Sequence, residues 1–137
     1  MSEITTKSCN CFECCISRAK DGYNIPGGII YQDSYLMIHC NLDHKCRPSF
    51  VVSPLSHCKN FEEVGEECNS KISQALNFLV NAMKEGKIAN STEQRISDES
   101  GHVRLFVTGM DAGRYVNVAS ICKNSSFLHE RFKEFSY

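Results

Sequence analysis

The sequence predicts an α+β domain: an antiparallel sheet of about five strands with one long helix packed on one face. Three observations lead there. Ile72, Ala75, Leu76, Leu79, Val80 and Met83 recur at the spacing of a single apolar helix face, which predicts a helix over residues 70–85. Short β-rich runs flank that helix, three before it and two after. The chain has 137 residues, enough for one α+β domain with a real core.

In chain order, residues 1–8 read as a flexible polar tail and residues 9–137 as a single domain. Residues 11–20 can form a short helix, and residues 22–28, with Pro26 and the Gly27-Gly28 pair, a loop. Ile29-Ile30-Tyr31 and the run from Tyr35 to Cys40 are separated by Gln32-Asp33-Ser34, which is the pattern of a β-hairpin. Phe50-Val51-Val52 marks a third strand over residues 47–53, stopped by Pro54. Asn60 followed by Glu63 resembles a capping box and predicts a helical turn from Phe61, which Gly65 weakens. Gly86 is placed to end the long helix. Residues 87–101 turn polar and read as a loop. Residues 102–107 and 115–122 read as the last two strands, joined by Gly109-Met110-Asp111-Ala112-Gly113. Residues 127–137 read as a short helix with Phe127, Leu128 and Phe132 packed down.

Composition excludes several classes. Apolar residues make up 42% and charged residues 23%, with a formal net charge of −1, so neither disorder nor a strong pull toward nucleic acid or anionic membrane is expected. No apolar run approaches the roughly 18–20 residues that span a bilayer. The polar start lacks the apolar stretch of a signal peptide, and the expectation is a soluble, cytoplasmic protein. The nine cysteines are an odd number without an export signal, which disfavours a disulfide framework. Cys9, Cys11, Cys14 and Cys15 cluster. They read either as metal or redox ligands or as small buried thiols. The scattered Cys40, Cys46, Cys68 and Cys122 read as core residues.

Several motifs in order resemble the histidine-triad (HIT) family. Cys11-Phe12-Glu13-Cys14, Ile25-Pro26 and Ile30-Tyr31-Gln32-Asp33 look like the opening of such a protein. The spacing from Tyr31 to Asn41 matches the family's run from a tyrosine to its ribose-binding aspartate. Phe50-Val51-Val52-Ser53-Pro54-Leu55-Ser56-His57 resembles the strand end that closes on Pro-Lys-Lys-His. Thr108 to Val116 resembles the glycine-rich turn that feeds the triad strand. The match runs from Cys11 to Cys122. It implies a HIT-like fold, a purine nucleotide ligand, and a twofold homodimer with the long helix and a strand at its interface.

The departures bear on function. The family's His-x-His-x-His corresponds in this alignment to Val118, Ser120 and Cys122. The middle histidine is the family's nucleophile toward a nucleotide α-phosphate, a role suited to neutral imidazole. A serine without an adjacent base has no such advantage, and Cys122 stands at the wrong position. On a strand, Val116, Val118, Ser120 and Cys122 share one face, and all are small, which also fits a strand packed into a core. The nucleotide-binding positions correspond to Asn41 with Leu42, Ser49, Gly109, Gly113 and Arg114. Arg114 reads equally as a phosphate ligand or a solvated loop charge. Zinc-containing members use the C-x-x-C pair, the histidine after the strand end and the first triad histidine. Cys11, Cys14 and His57 match three of these. The fourth corresponds to Val118, so Cys9 or Cys15 is expected to replace it, ahead of Cys58. Three functions follow from the resemblance. The first is a catalytically impaired HIT-like pseudoenzyme that binds a purine nucleotide. The second is a hydrolase or transferase using substitute residues. The third is a zinc-stabilised interaction module.

Overall fold

Cross-strand pairing of short β-branched runs organises the computed structural model, which describes residues 27–41, 47–98, 101–111 and 117–137. The tail over residues 1–8, the short helix over 11–20 and most of the loop over 22–28 lie outside them. The described elements are β1 (Ile29–Gln32), β2 (Leu36–Cys40), β3 (Ser49–Pro54), α1 (Phe61–Val64), α2 (Glu66–Glu85), β4 (Thr92–Ser97), β5 (Arg104–Gly109) and α3 (Val118–Phe132). The five strands form one antiparallel sheet in the order β1-β2-β3-β5-β4.

The hairpin forms where expected. Asp33 accepts at Oδ1 from the amides of Tyr35 (2.7 Å) and Leu36 (3.0 Å), an Asx-type closure of the turn. The capping expectation also holds in its first half: Asn60 Oδ1 accepts from Glu63 N at 3.0 Å. Glu63 Oε1 reaches back to Lys59 N, one residue earlier than a capping box requires. Gly65 takes φ +94°, a conformation open to glycine, and separates α1 from α2.

Helix α2 begins four residues before the expected start at residue 70, and Gly86 ends it. Ile72, Ala75, Leu79, Ala82 and Met83 are buried, whereas Leu76 and Val80 are only partly buried. They pack with Ile38, Cys40, Phe50, Val52, Leu105 and Val107, which alternation puts on one face of the sheet. Leu128 and Phe132 of α3 join the same core.

Two expectations are corrected. The stretch read as a loop contains strand β4, whose residues 93–96 are all exposed; an edge strand with no apolar alternation leaves no period-two signal. The strand read over residues 115–122 is not a strand from Val118 onward. Val118 begins α3, with the Asn117 side chain capping it by accepting from Ser120 N at 2.8 Å. Residues 112–116 lie outside the described set. The helical period runs through Ile121, Ser125, Leu128 and Phe132, so the expected short last helix is the end of a longer one.

Candidate functional site

The face of the sheet turned away from α2 is polar at its centre. Residues paired across antiparallel strands point to the same side. His39, Val51, Phe106 and Arg95 therefore form one cross-strand row, and Asn41, Ser49, Thr108 and Glu93 the next. Arg104, two residues before Phe106 on β5, stands opposite Ser97. His39, Ser49, Ser53, His102, Val51 and Phe106 are all buried, although none but the two apolar side chains belongs in an apolar core.

The second row is a hydrogen-bonded ladder. Asn41 Nδ2 donates to Ser49 Oγ at 3.2 Å, and Ser49 Oγ lies 2.9 Å from Thr108 Oγ1. Asn41 and Ser49, two of the residues expected at a nucleotide, are thus brought together. Gly109 ends β5 beside them, its amide on Pro48 O at 2.8 Å. A Cβ there would stand 2.6 Å from Ala89 Cβ, so close packing requires glycine. Leu42, Gly113 and Arg114 lie outside the described residues, as do Cys9, Cys11, Cys14 and Cys15.

Phe106 carries two guanidinium groups. The Arg95 and Arg104 carbons lie 5.1 and 5.0 Å from its ring centroid, which orients both cations on this face. His39 donates from Nδ1 to Cys40 O at 2.7 Å. Burial pushes its pKa down to about 4; the Cys40 bond opposes the shift and the charge of Arg104 adds to it. His39 is therefore a neutral imidazole at pH 7. The unfolded chain takes up this proton near pH 6.5, whereas the folded chain does so only near 4. Stability should be insensitive to this group above pH 6.5 and fall as pH drops through that window, by about 2 kcal/mol at pH 5. Urea unfolding at pH 7.5 and 5 checks this. His39→Phe should flatten the slope, and an unchanged slope would assign the loss elsewhere.

His57 and His102 meet at one end of the same face. Their rings are perpendicular with centroids 5.1 Å apart. His102 donates from Nε2 to Pro54 O at 2.8 Å, which leaves the acceptor lone pair on Nδ1. Burial, the main cause, holds the His102 pKa below its ordinary value. Among the described residues no group of three or more His, Cys, Asp or Glu side chains could hold a metal ion.

The expected triad positions are not here. Val118, Ser120 and Cys122 sit on α3, with Val118 and Cys122 exposed, and helical geometry does not align them on one strand face. The residues missed are His102, Arg104, Phe106 and Thr108. The signal for them was present: His102-Val103-Arg104-Leu105-Phe106-Val107 alternates over two residues and precedes the glycine, not follows it.

No protein-family model matches this chain, and no curated protein sequence matches it significantly. Solved structures do. A HIT-like protein involved in cell-cycle regulation from Bartonella henselae superposes with a TM-score of 0.68 at 13% identity, covering 89% of this chain and 96% of that one. A zinc-bound histidine triad family protein from Mycobacterium smegmatis gives 0.66 at 16% identity, covering 94% and 96%. A hypothetical histidine triad nucleotide-binding protein from Sulfolobus tokodaii gives 0.58 at 13%, covering 77% and 83%. The chain therefore has the HIT-like α+β fold. No helix of the described residues is long and apolar enough to cross a membrane.

Proposed function

We propose that this chain is a divergent relative of the histidine-triad nucleotide hydrolases and transferases. In this reading it keeps a nucleotide-binding face and has lost the nucleophile. The observation that carries it is the alternation on β5, the last strand of the sheet. Arg104 and Phe106 occupy alternate positions there and His102 stands two residues ahead of Arg104, just before the strand, the spacing the three histidines of the triad have in the resemblance. Only the first is an imidazole. Arginine in the middle position is always protonated and is not a nucleophile, but its guanidinium is a strong phosphate ligand. The ladder of Asn41, Ser49 and Thr108 supplies hydroxyl and amide groups for a ribose. Cys122, the substitute nucleophile considered from sequence, is exposed on α3 and belongs to a different element from the β5 row. The test is binding of AMP to the purified protein. Saturable binding that weakens in Arg104→Ala supports the reading, and no binding of any purine nucleotide would overturn it.

A structural zinc is the second part of this proposal, favoured by the approach of His57 to His102. The fourth ligand is then His102 itself, in place of Cys9 or Cys15, and the set is Cys11, Cys14, His57 and His102. The fit is chemical. Two imidazoles, one fixed by a backbone carbonyl and kept below its ordinary pKa by burial, would complete a tetrahedral donor set with the two thiols of the C-x-x-C segment, which lies outside the described residues. Zinc at such a site cross-links the chain and supplies no reaction step. A similar structure is described as zinc-bound. Metal analysis of untagged protein should find about one zinc per chain, lost in His102→Ala with a lower melting temperature. Metal-free protein from zinc-supplemented cells would end this part.

The assembly proposed is a homodimer through β4. That strand is an edge of the sheet with residues 93–96 exposed. The other edge, β1, is shielded by α3, with His129 Nδ1 donating to Ile30 O at 3.1 Å. Two copies of β4 paired antiparallel about Gln94 set Glu93 opposite Arg95 of the second copy, twice by symmetry. Gln94→Pro removes an amide from that ladder. It should convert a dimer to a monomer in light scattering, and a wild-type monomer at micromolar concentration would refute the interface.

A further inference from the structure

In the β1–β2 turn, Asp33 accepts four hydrogen bonds. Its Oδ1 takes the amides of Tyr35 and Leu36, as described. Its Oδ2 takes the hydroxyls of Tyr31, at 2.7 Å, and of Tyr137. One carboxylate thus holds the β1–β2 turn in shape and ties the last residues of the sequence onto it.

The last residues are otherwise held by rings. Tyr137 stands edge-on to Tyr35 at 5.9 Å and to Phe135 at 4.9 Å. Phe135 in turn contacts Tyr31 at 5.4 Å and Phe78 at 5.0 Å. Lys71 of α2 sets its Nζ 4.4 Å from the Tyr137 ring centroid and 5.5 Å from that of Tyr35. Burial, then the bond to Asp33, pushes the Tyr31 hydroxyl up to about 12 and raises Tyr137 as well. Partial burial raises Asp33, but its bonds from Tyr137, Tyr31 and the two amides outweigh that and hold it below the usual carboxylate range. At neutral pH both phenols are donors and Asp33 is an ionised acceptor.

Tyr137 differs from its neighbours in access. It is 41% exposed, and residues 135–137 lie beyond the end of α3 outside any helix or strand, whereas Tyr31 and Tyr35 are only half-exposed within or beside strands. We propose that Tyr137 is a phosphorylation site that operates a clasp between the last residues and the β1–β2 turn. The phenol oxygen attacks the γ-phosphorus of a nucleoside triphosphate held by a tyrosine kinase. The Oη–P bond forms, the bond to the leaving nucleoside diphosphate breaks, and the phenol proton passes to the kinase's base. The ester has no hydrogen to give Asp33 and carries a charge of about −1.5 to −2, so attraction becomes repulsion. Among the described residues the cation over these rings is Lys71, on α2 and not on the hairpin. The phosphate is therefore drawn from the turn toward the helix, and Asp33 keeps the Tyr31 hydroxyl and its two amides.

The 137-residue protein, treated with a broad-specificity tyrosine kinase domain and ATP, tests this by mass spectrometry and hydrogen exchange. Incorporation should fall at Tyr137, with exchange at the amides of Tyr35 and Leu36 about tenfold faster, the effect of losing one bond to a charged group. Phosphatase treatment should reverse the change. Tyr137→Phe keeps the ring and should abolish incorporation while raising exchange at the same amides. No incorporation at Tyr137, labelling of Tyr31 or Tyr35 in its place, or labelling with unchanged exchange would each overturn the clasp.

Discussion

Leu79→Ala is expected to lower the unfolding free energy by about 2–5 kcal/mol, because it removes most of a fully buried side chain from beneath the sheet. Leu79 is 0% exposed and sits in the cluster that joins α2 to β2, β3 and β5. The neighbouring Leu76 is only partly buried, so Leu76→Ala should cost clearly less, since part of the space it leaves opens to solvent. Urea unfolding of the two variants at the same pH, with equal slopes, reads the difference. A loss below about 1 kcal/mol for Leu79→Ala would mean that α2 is not the element closing this core.

The contrast between these two leucines also marks what the sequence could tell. Helix α2 was legible because six apolar residues repeat at helical spacing and bury one stripe, and the hairpin because Asp33 supplies turn chemistry between two β-rich runs. The period gave the face but not the depth, which depends on how the sheet and α3 cover each position. Strand β4 was illegible for the opposite reason. Thr92-Glu93-Gln94-Arg95-Ile96-Ser97 lies at an edge with most of its side chains in solvent, so nothing in it alternates with burial. In α3 the β-branched Val118 and Ile121 suggested a strand, whereas the cap at Asn117 and the distant Leu128 and Phe132 decide for a helix. Local propensity and tertiary packing disagreed, and packing won.

The error in α3 moved the candidate site. With Val118, Ser120 and Cys122 on a helix, the expected triad positions do not share a strand face, and under the proposed reading the row lies one element earlier, at β5. Asn41, the residue after β2, and Ser49, the first of β3, stay neighbours whatever the reading of residues 115–122, because the pairing of β2 with β3 holds them together. The alternation of residues 102–107 marks a strand, but only the position of β5 between β3 and β4 places His102, Arg104, Phe106 and Thr108 beside Asn41 and Ser49. The same shift hid the partner of His57. The approach of its ring to His102 is a contact between residues 45 positions apart in sequence, which no local pattern encodes.

Hydrolysis of adenosine 5′-phosphoramidate is expected to stay at background, while AMP still binds. The ground is now Arg104 and Phe106 instead of Ser120 and Cys122. A covalent nucleotidyl intermediate needs a neutral nitrogen lone pair at the middle position, and a guanidinium offers none at any pH the fold survives. Loss of the nucleophile alone typically costs several orders of magnitude, and Phe106 beside it adds little because the unit is already broken. Binding responds in the other direction. In the proposed site Arg104, held against Phe106, is the charge-assisted partner of the phosphate, so Arg104→Ala should weaken AMP by roughly 10- to 100-fold. Arg104→His should also weaken AMP, since the fixed charge is lost. With Phe106→His added, it should raise turnover measurably above wild type, because the imidazoles then return to alternate positions on one strand face. Calorimetry for AMP and a fluorogenic phosphoramidate assay on the same preparations separate the two effects. Wild-type turnover that disappears in Cys122→Ala would show that a thiol on α3 has taken over the chemistry, and the assignment of Arg104 as a phosphate ligand in a silent site would fall with it.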